Sequence, residues 1–263
     1  MRKVAVVTGG TSGIGRETAL ALKAAGYTVY ELSRRAEGVE GLHHITADIT
    51  REDTVNAAVE QIVAAEGRID VLVNNAGFGI SGAVEFTDTE DAKRHFDTNF
   101  FGMVRMSRAV IPVMRRQGSG RIVNLSSVAA PIPIPFQTYY SAGKAAVNAY
   151  TMALANELRP FGITVCAVQP GDIKTGFTAA REKTVTGDDV YGGRIARSVG
   201  RMEHDEQTGM EPSAAGRFIA AVAQKTSRKP IYTIGLSYKL FVFIMRVLPY
   251  RFTNWLVGLL YAK

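Results

Sequence analysis

The sequence predicts an α/β fold in which a single doubly wound parallel sheet of about seven strands carries helices on both faces. Short apolar runs alternate with longer amphipathic segments from Lys3 onward, and this alternation is typical of right-handed crossovers between parallel strands. A glycine-rich loop directly follows the first apolar run. We expect one domain over residues 1–235, followed by an apolar C-terminal extension over residues 236–263.

The predicted elements follow one another with few interruptions. Apolar runs predict strands at 3–8, 27–32, 42–47, 70–74, 121–126, 163–168 and 231–234. Helical spacing predicts helices at 13–25, 52–66, 88–117, 138–158 and 212–224. Residues 176–211 are polar and weakly periodic, and we expect them to form a lid, a binding loop or a surface excursion.

The charge of the chain and its cysteine and histidine content indicate which kinds of partner it can bind. The 31 Lys and Arg residues exceed the 24 Asp and Glu residues, and the net charge of +7 suits an anionic cofactor or an anionic membrane surface. We expect no nucleic-acid partner, because no basic run is interleaved with aromatic residues. The single cysteine, Cys166, excludes a disulfide framework and favours a reducing, cytoplasmic location. The four histidines lack metal-ligand spacing, so we expect no metal and expect these residues to lie at the surface or to have partners.

The glycine-rich loop predicts a phosphate site. The segment TGGTSGIG, residues 8–15, lies between the first strand and the first helix, where a backbone turns tightly and approaches a pyrophosphate. Free N–H groups at the start of the helix would meet its negative charge. An NTP-binding loop of the Walker type is excluded, because Arg16 and Glu17 stand where Lys and Ser or Thr are required.

The end of the second strand predicts the cofactor preference. Ser33, Arg34 and Arg35 occupy the position that contacts the adenosine ribose, and two guanidinium groups can pair with a 2′-phosphate. This favours NADP over NAD. Glu31 lies two residues earlier, within the strand, and we interpret it as outside the ribose contact.

A second constellation predicts proton-transfer chemistry. Tyr140 and Lys144 are spaced i, i+4 and therefore share one face of a helix. Ser127 ends a strand 13 residues earlier, Asn99 lies on a preceding predicted helix, and NNAG, residues 74–77, ends another strand. Because carboxyl ends of parallel strands meet at one edge of the sheet, these residues should converge there.

With these motifs in their order, the chain resembles the compact short-chain dehydrogenases/reductases over about residues 3–235. The SRR segment and the apolar tail are similar to the 17β-hydroxysteroid and retinol dehydrogenase-like branch. The resemblance implies a Rossmann-type sheet of order 3-2-1-4-5-6-7 and a homodimer or homotetramer. It also implies a catalytic group of Asn99, Ser127, Tyr140 and Lys144, in which Lys144 holds the nicotinamide ribose and Asn99 holds a water. The cofactor-binding residues that we expect are Gly9, Thr11, Ser12, Gly13, Ile14, Gly15, Arg34, Arg35, Asp48, Ile49, Asn75, Ala76, Gly77, Tyr140, Lys144, Pro170, Gly171, Ile173 and Thr175.

The chemistry assigns a role to each group. Tyr140 would give its proton to the developing alkoxide, or accept one in the oxidative direction. A lysine charge ~4 Å away, at an effective dielectric of ~20, is worth about 4 kcal/mol, which would bring the pKa of a phenol near neutrality. We therefore expect Lys144 to lower the pKa of Tyr140, and Ser127 to hydrogen-bond the substrate oxygen.

The substrate is predicted to be a bulky apolar ketone, aldehyde or alcohol of steroid, retinoid or lipid type. The proline-rich segment 128–139 offers apolar side chains, and the expected contacts are Ser127, Ala129, Ile134, Phe136, Tyr140 and Phe177. The extension, with its interspersed Lys and Arg and with Trp255, fits a membrane-surface anchor, a lid or a subunit contact. Alternative functions are a 3-oxoacyl reductase of fatty-acid type and a non-catalytic NADP-binding sensor.

Overall fold

The protein is described here by a computed structural model that covers residues 2–262. Seven parallel strands form one sheet of order β3-β2-β1-β4-β6-β7-β9. Two short strands, β5 and β8, pair separately; without them, the order is the predicted 3-2-1-4-5-6-7, which is confirmed. The strands are β1 Val4–Thr8, β2 Thr28–Ser33, β3 His43–Thr46, β4 Val71–Asn74, β5 Ile80–Ser81, β6 Gly120–Leu125, β7 Ile163–Gln169, β8 Glu182–Lys183 and β9 Ile231–Thr233.

Helices cover both faces of this sheet, as a doubly wound fold requires. They are α1 Gly13–Ala24, α2 Glu52–Glu66, α3 Thr89–Phe96, α4 Gly102–Gln117, α5 Thr138–Glu157, α6 Arg194–Gln207, α7 Pro212–Ala223, α8 Leu236–Val247 and α9 Tyr250–Tyr261. Val4 and Val6 of β1 pack with α2, α4 and α5, whereas Ala5 and Val7 pack with α1 and α7. Because both faces are buried, every position of β1 is buried, and its first four residues form a continuous apolar run rather than an alternation.

Two segments differ from the sequence prediction. The single helix expected over residues 88–117 is divided by a π turn, Asp97–Phe101, into α3 and α4. The segment 176–211, predicted as a loop, contains the helix α6. The buried side of α6 is narrow, with Ile195, Val199 and Met202 facing inward among many charged residues. Such a narrow stripe gives only a weak periodic signal.

The C-terminal extension forms α8 and α9, which meet at Pro249. Met245 and Val257 face the protein and pack on Ile132, which belongs to the proline-rich segment. No helix within residues 2–262 combines the length and the apolarity that crossing a bilayer requires.

Candidate functional site

The glycine-rich loop has the backbone of a phosphate cradle. Gly9 and Gly13 have φ of +65° and +52°, a region that L-residues with side chains rarely adopt. A Cβ on Gly15 would collide with the carbonyl oxygen of Gly9. Ser12 is the N-cap residue of α1, and its side chain makes no capping hydrogen bond. The first N–H groups of α1 therefore keep their capacity to bind an anion, and the loop fits a dinucleotide pyrophosphate.

The strand next to the loop fixes its shape. Asn75 Nδ2 donates to the carbonyl oxygens of Thr8 at 3.0 Å and Gly9 at 3.2 Å. Thr8 Oγ1 accepts hydrogen bonds from the backbone N–H groups of Asn75 and Ala76. The side chain of Asn75, predicted as a cofactor contact, is thus engaged in holding the loop. Thr11 lies within the loop, and Ile14 packs from α1 onto the apolar layer beneath it.

The end of β2 presents the two predicted arginines, and Arg34 and Arg35 are both exposed. Burial pushes the pKa of Asp48 upward, but hydrogen bonds from Thr50 and the charges of Arg34 and Arg51 outweigh it and leave this pKa below its usual value. Asp48 is therefore close to Arg34 at the adenosine end of the site. Ile49, expected to contact adenine, is buried; a Cβ on Gly102 would lie 2.6 Å from its Cδ1.

Ser127, Tyr140 and Lys144 converge beyond β6. A hydrogen bond from Ser127 reaches Tyr140, and Lys144 Nζ lies 5.7 Å from the centroid of the Tyr140 ring. Lys144 Nζ also donates to the carbonyl oxygen of Leu125 at 2.7 Å. The ammonium group therefore lies near the ring of Tyr140 and is hydrogen-bonded to the end of β6.

The pKa of Tyr140 lies above the value expected from the sequence. Burial raises the pKa of Tyr140 to about 12, the hydrogen bond from Ser127 opposes this rise, and the acting charges are those of Glu206, Arg181 and Asp172. Burial also lowers the pKa of Lys144 to about 8. Lys144 is not among the charges that act on the pKa of Tyr140, because its own pKa of about 8 leaves it neutral at the pH where the phenol titrates.

Asn99 has a more restricted environment than the sequence indicated. Its Nδ2 donates to the carbonyl oxygen of Phe78 at 2.8 Å, and its Oδ1 accepts from the N–H of Phe78 at 3.0 Å. The same Nδ2 lies 2.9 Å from His95 Nε2. The side chain of Asn99 thus ties the π turn to the segment after β4. Gly77 is required nearby, since a Cβ there would lie 2.9 Å from Asn99 Oδ1.

His95 is a site residue that the sequence did not reveal. It is fully buried, and its ring meets that of Tyr140 edge to face with centroids 5.9 Å apart. Burial and the charge of Lys144 lower the pKa of His95 to about 4. Its position four residues before Asn99, on the same helix face, was the one available signal.

The nicotinamide side of the site is formed by the segment after β7. Thr175 lies 3.5 Å from where a Cβ on Gly13 would be, so this segment meets the glycine loop. A Cβ on Gly171 would collide with the ring of Tyr238, whose hydroxyl donates to Asp172. The other two predicted residues, Pro170 and Ile173, are buried. The extension therefore reaches the site through Tyr238, a contact that no local sequence pattern indicates.

The predicted substrate contacts separate into two groups. The ring of Phe177 lies edge to face with that of Tyr140, at 5.9 Å, and Ala129 donates its N–H to Ser127 Oγ. Ile134 and Phe136 instead pack against α6, and Phe136 is held at φ +61°. Beside Phe177 lies Arg181, which is fully buried and paired with Glu206. No cluster of metal-ligating residues lies within residues 2–262.

Comparisons with known proteins give one family match and several similar proteins. The sequence pattern of the family described as short chain dehydrogenase matches residues 3–186. A 3-ketodihydrosphingosine reductase of Bacteroides thetaiotaomicron is 42% identical over 86% of this chain and 84% of its own length. The crystal structure of a short-chain dehydrogenase from Streptomyces avermitilis has a TM-score of 0.85 at 31% identity, over 97% of this chain and 96% of that one. ElxO with NADP bound has a TM-score of 0.75 at 27% identity, over 91% of this chain and 100% of that one.

Proposed function

Since the chain belongs to the short-chain dehydrogenase/reductase family, in its 17β-hydroxysteroid and retinol dehydrogenase-like branch, we propose that it is an NADPH-dependent reductase of long-chain lipid ketones. The family assignment makes it an oxidoreductase of alcohol and keto groups that binds a nicotinamide dinucleotide and a small-molecule substrate. The observation that carries the finer proposal is the contact of Phe177 with Tyr140, which places apolar surface beside the proton-donating group.

The protonation of Tyr140 favours reduction. With its pKa raised to about 12 by burial, the phenol holds its proton at neutral pH and can give it to a developing alkoxide. The bound cofactor supplies the hydride. Ser127, already hydrogen-bonded to Tyr140, would stabilise the substrate oxygen. Lys144 would hold the nicotinamide ribose, and Asn99 would maintain the adjacent backbone.

A preference for NADP is supported by the end of β2. Arg34 and Arg35 are exposed there, whereas the nearby carboxylate of Glu31 is fully buried and paired with His44. A 2′-phosphate would thus meet two accessible cations, and a ribose hydroxyl would find no accessible carboxylate in β2. The solved structure of ElxO with NADP bound adds a structural parallel.

A sphingoid-type ketone is the substrate that we propose, because the relative from Bacteroides thetaiotaomicron is a 3-ketodihydrosphingosine reductase. An amphiphilic ketone also agrees with the surface of the extension. Leu240, Phe243 and Val247 form an outward apolar stripe on α8, and Phe243 is 64% exposed. Residues 236–262 contain three cations, Lys239, Arg246 and Arg251, and no carboxylate side chain. This surface would bind peripherally to an anionic membrane from which the substrate is taken.

We further propose a homodimer or homotetramer. Phe101, near the start of α4, and Met152, on α5, are 48% and 46% exposed and supply apolar area for a subunit contact. Sedimentation equilibrium would test this assembly, and replacing both side chains by serine should shift the protein toward the monomer. An assembly unchanged by the double replacement would place the contact elsewhere.

The function is tested by NADPH oxidation with three ketones. These are 3-ketodihydrosphingosine in mixed micelles, a short methyl ketone, and a 3-oxoacyl group on an acyl carrier. We expect the highest kcat/KM for the sphingoid ketone and no turnover by the Tyr140→Phe variant. Preference for the carrier-linked substrate would instead establish the 3-oxoacyl reductase alternative. Tight NADPH binding without turnover of any ketone would favour the non-catalytic sensor.

A further inference from the structure

A buried acidic residue lies beneath the proposed 2′-phosphate site. Glu31 of β2 is fully buried, and a Cβ on Gly10 of the glycine loop would lie 2.5 Å from its Cβ. A carboxylate near the end of this strand normally selects NAD, since it binds the free ribose hydroxyl and repels a phosphate. The charge of Glu31 therefore needs to be compensated if the exposed Arg34 and Arg35 are to bind a 2′-phosphate.

His44 supplies this compensation. Parallel pairing of β2 and β3 places His44 directly beside Glu31, and His44 Nδ1 lies 2.6 Å from Glu31 Oε1. The other ring nitrogen, Nε2, lies 3.0 Å from the backbone oxygen of Arg35. Nδ1 faces a carboxylate oxygen, and Nε2 faces a backbone oxygen and, at 3.2 Å, the hydroxyl of Thr46. An imidazolium cation with two N–H donors satisfies this set of partners. The second oxygen of Glu31, Oε2, is buried without a hydrogen-bond partner among the described residues.

The same histidine holds the arginine turn in place. The N–H of Arg35 donates to Ser33 Oγ at 3.3 Å, and its backbone oxygen receives Thr46 Oγ1 at 3.2 Å in addition to His44. A Cβ on Gly38 would lie 2.7 Å from Glu31 Oε1, so the turn closes directly over the pair. Glu31, His44 and the arginine turn thus form one connected unit.

We propose that His44 is a specificity-determining positioning residue, which neutralises Glu31 and fixes the backbone of Arg35 so that the site accepts a 2′-phosphate. This inference rests on the proposed preference for NADP and explains how a carboxylate in β2 coexists with it. Without His44, the carboxylate would repel the 2′-phosphate but not a ribose hydroxyl. The neighbouring His43 would have no such role, because it stacks on Tyr30 with ring centroids 4.7 Å apart.

Calorimetric binding of two cofactor fragments tests the proposal without turnover. Titration with 2′,5′-ADP reports the phosphate contact, and titration with 5′-ADP reports the rest of the adenosine site. His44→Leu should weaken 2′,5′-ADP binding at least about tenfold and change 5′-ADP binding less than about twofold. Glu31→Gln combined with His44→Leu should recover part of the 2′,5′-ADP affinity, because the repelling charge is removed although the contact with Arg35 stays lost. The matched control, His43→Leu, should leave both affinities unchanged.

The outcomes distinguish a failure of the proposed NADP preference from a failure of the proposed role of His44. Wild-type protein that binds 5′-ADP as tightly as 2′,5′-ADP would refute the NADP preference and, with it, the role of His44. A wild-type preference for 2′,5′-ADP that survives His44→Leu would refute the role of His44 alone. A double variant that folds, by its thermal unfolding, and yet fails to recover would refute charge neutralisation. If His44→Leu does not fold, His44→Gln serves in its place. A glutamine amide can donate hydrogen bonds but carries no charge, so it cannot neutralise the carboxylate of Glu31.

Discussion

Replacing Lys144 by methionine should stabilise the cofactor-free protein at neutral pH while abolishing turnover. Burial lowers the pKa of Lys144 from 10.5 to about 8, and each pKa unit corresponds to 1.36 kcal/mol. Holding the charged ammonium group inside the protein therefore costs about 3 kcal/mol. Methionine has a similar length and no charge. It loses the charge-assisted hydrogen bond to Leu125, worth ~2 kcal/mol, so the expected net gain is about 1 kcal/mol.

The pH dependence of this gain has a definite sign. Between pH 8 and 10.5, Lys144 is protonated in the unfolded chain and largely neutral in the folded protein. The unfolded state then binds more protons, so the stability of the wild type rises with pH across this window. The methionine variant lacks this titration. Its advantage should be fully present below pH 8 and should disappear above about pH 10.5.

The measurement is urea unfolding without cofactor at several pH values from 6.5 to about 10.5. Lys174→Met is a matched control, because Lys174 is exposed and its removal should have no such pH-dependent effect. NADPH binding should weaken in the Lys144 variant as well, since Lys144 is proposed to hold the ribose. A variant less stable than the wild type at neutral pH, or a difference that does not shrink as the pH rises, would refute the reasoning.

Three further predictions concern separate parts of the molecule. Tyr140→Phe should reduce kcat by more than tenfold and leave NADPH affinity within about twofold, because only the proton donor is lost. Stopped-flow turnover measures kcat, and fluorescence titration measures the affinity. Retained turnover would exclude Tyr140 as the proton donor. Replacing Arg34 and Arg35 by alanine should lower the preference for NADPH over NADH, measured as the ratio of their KM values, by on the order of 10²-fold. The reason is the loss of two charge-assisted contacts of ~1.5–3 kcal/mol each. An unchanged ratio would place recognition of the 2′-phosphate elsewhere. Phe243→Ser with Trp255→Ser should abolish sedimentation with anionic liposomes and leave the midpoint of thermal unfolding unchanged, because both side chains point outward (64% and 57% exposed). Val190→Ser, at another exposed apolar residue, is the control. Liposome binding that persists in the double variant would argue that the C-terminal extension is a lid or a subunit contact instead.

The centre of the sheet could be predicted from the sequence because strands such as β1 and β4 are buried on both faces and appear as largely apolar runs. The glycine loop and the i, i+4 pair Tyr140 and Lys144 were equally accessible, since they depend on local spacing. The π turn at Asp97–Phe101 was not, because it is defined by backbone hydrogen bonds, which the residue types do not report. The helix α6 was missed because only a narrow side of it is apolar.

Partners that lie far apart in the chain escaped prediction for a different reason. Glu31 was interpreted as outside the ribose contact, and its pairing with His44 depends on the register of β2 against β3, which local patterns do not specify. The contact of Tyr238 with Asp172 joins residues 66 positions apart. Such contacts follow from how elements pack, and only the folded chain brings them together.

Within residues 2–262, several polar groups of the site are buried without the hydrogen bonds that would offset their loss of hydration. Glu31 Oε2, His95 Nδ1 and Arg181 Nε are buried without hydrogen-bond partners in the described part of the chain, and each belongs to a residue near the carboxyl end of the sheet. Unpartnered buried polar atoms are costly, and Lys144 adds the charge penalty reflected in its lowered pKa. The two apolar layers on either side of the sheet offset these costs. The apolar layers thereby allow costly polar and charged groups to be kept at the site, where chemistry rather than stability requires them.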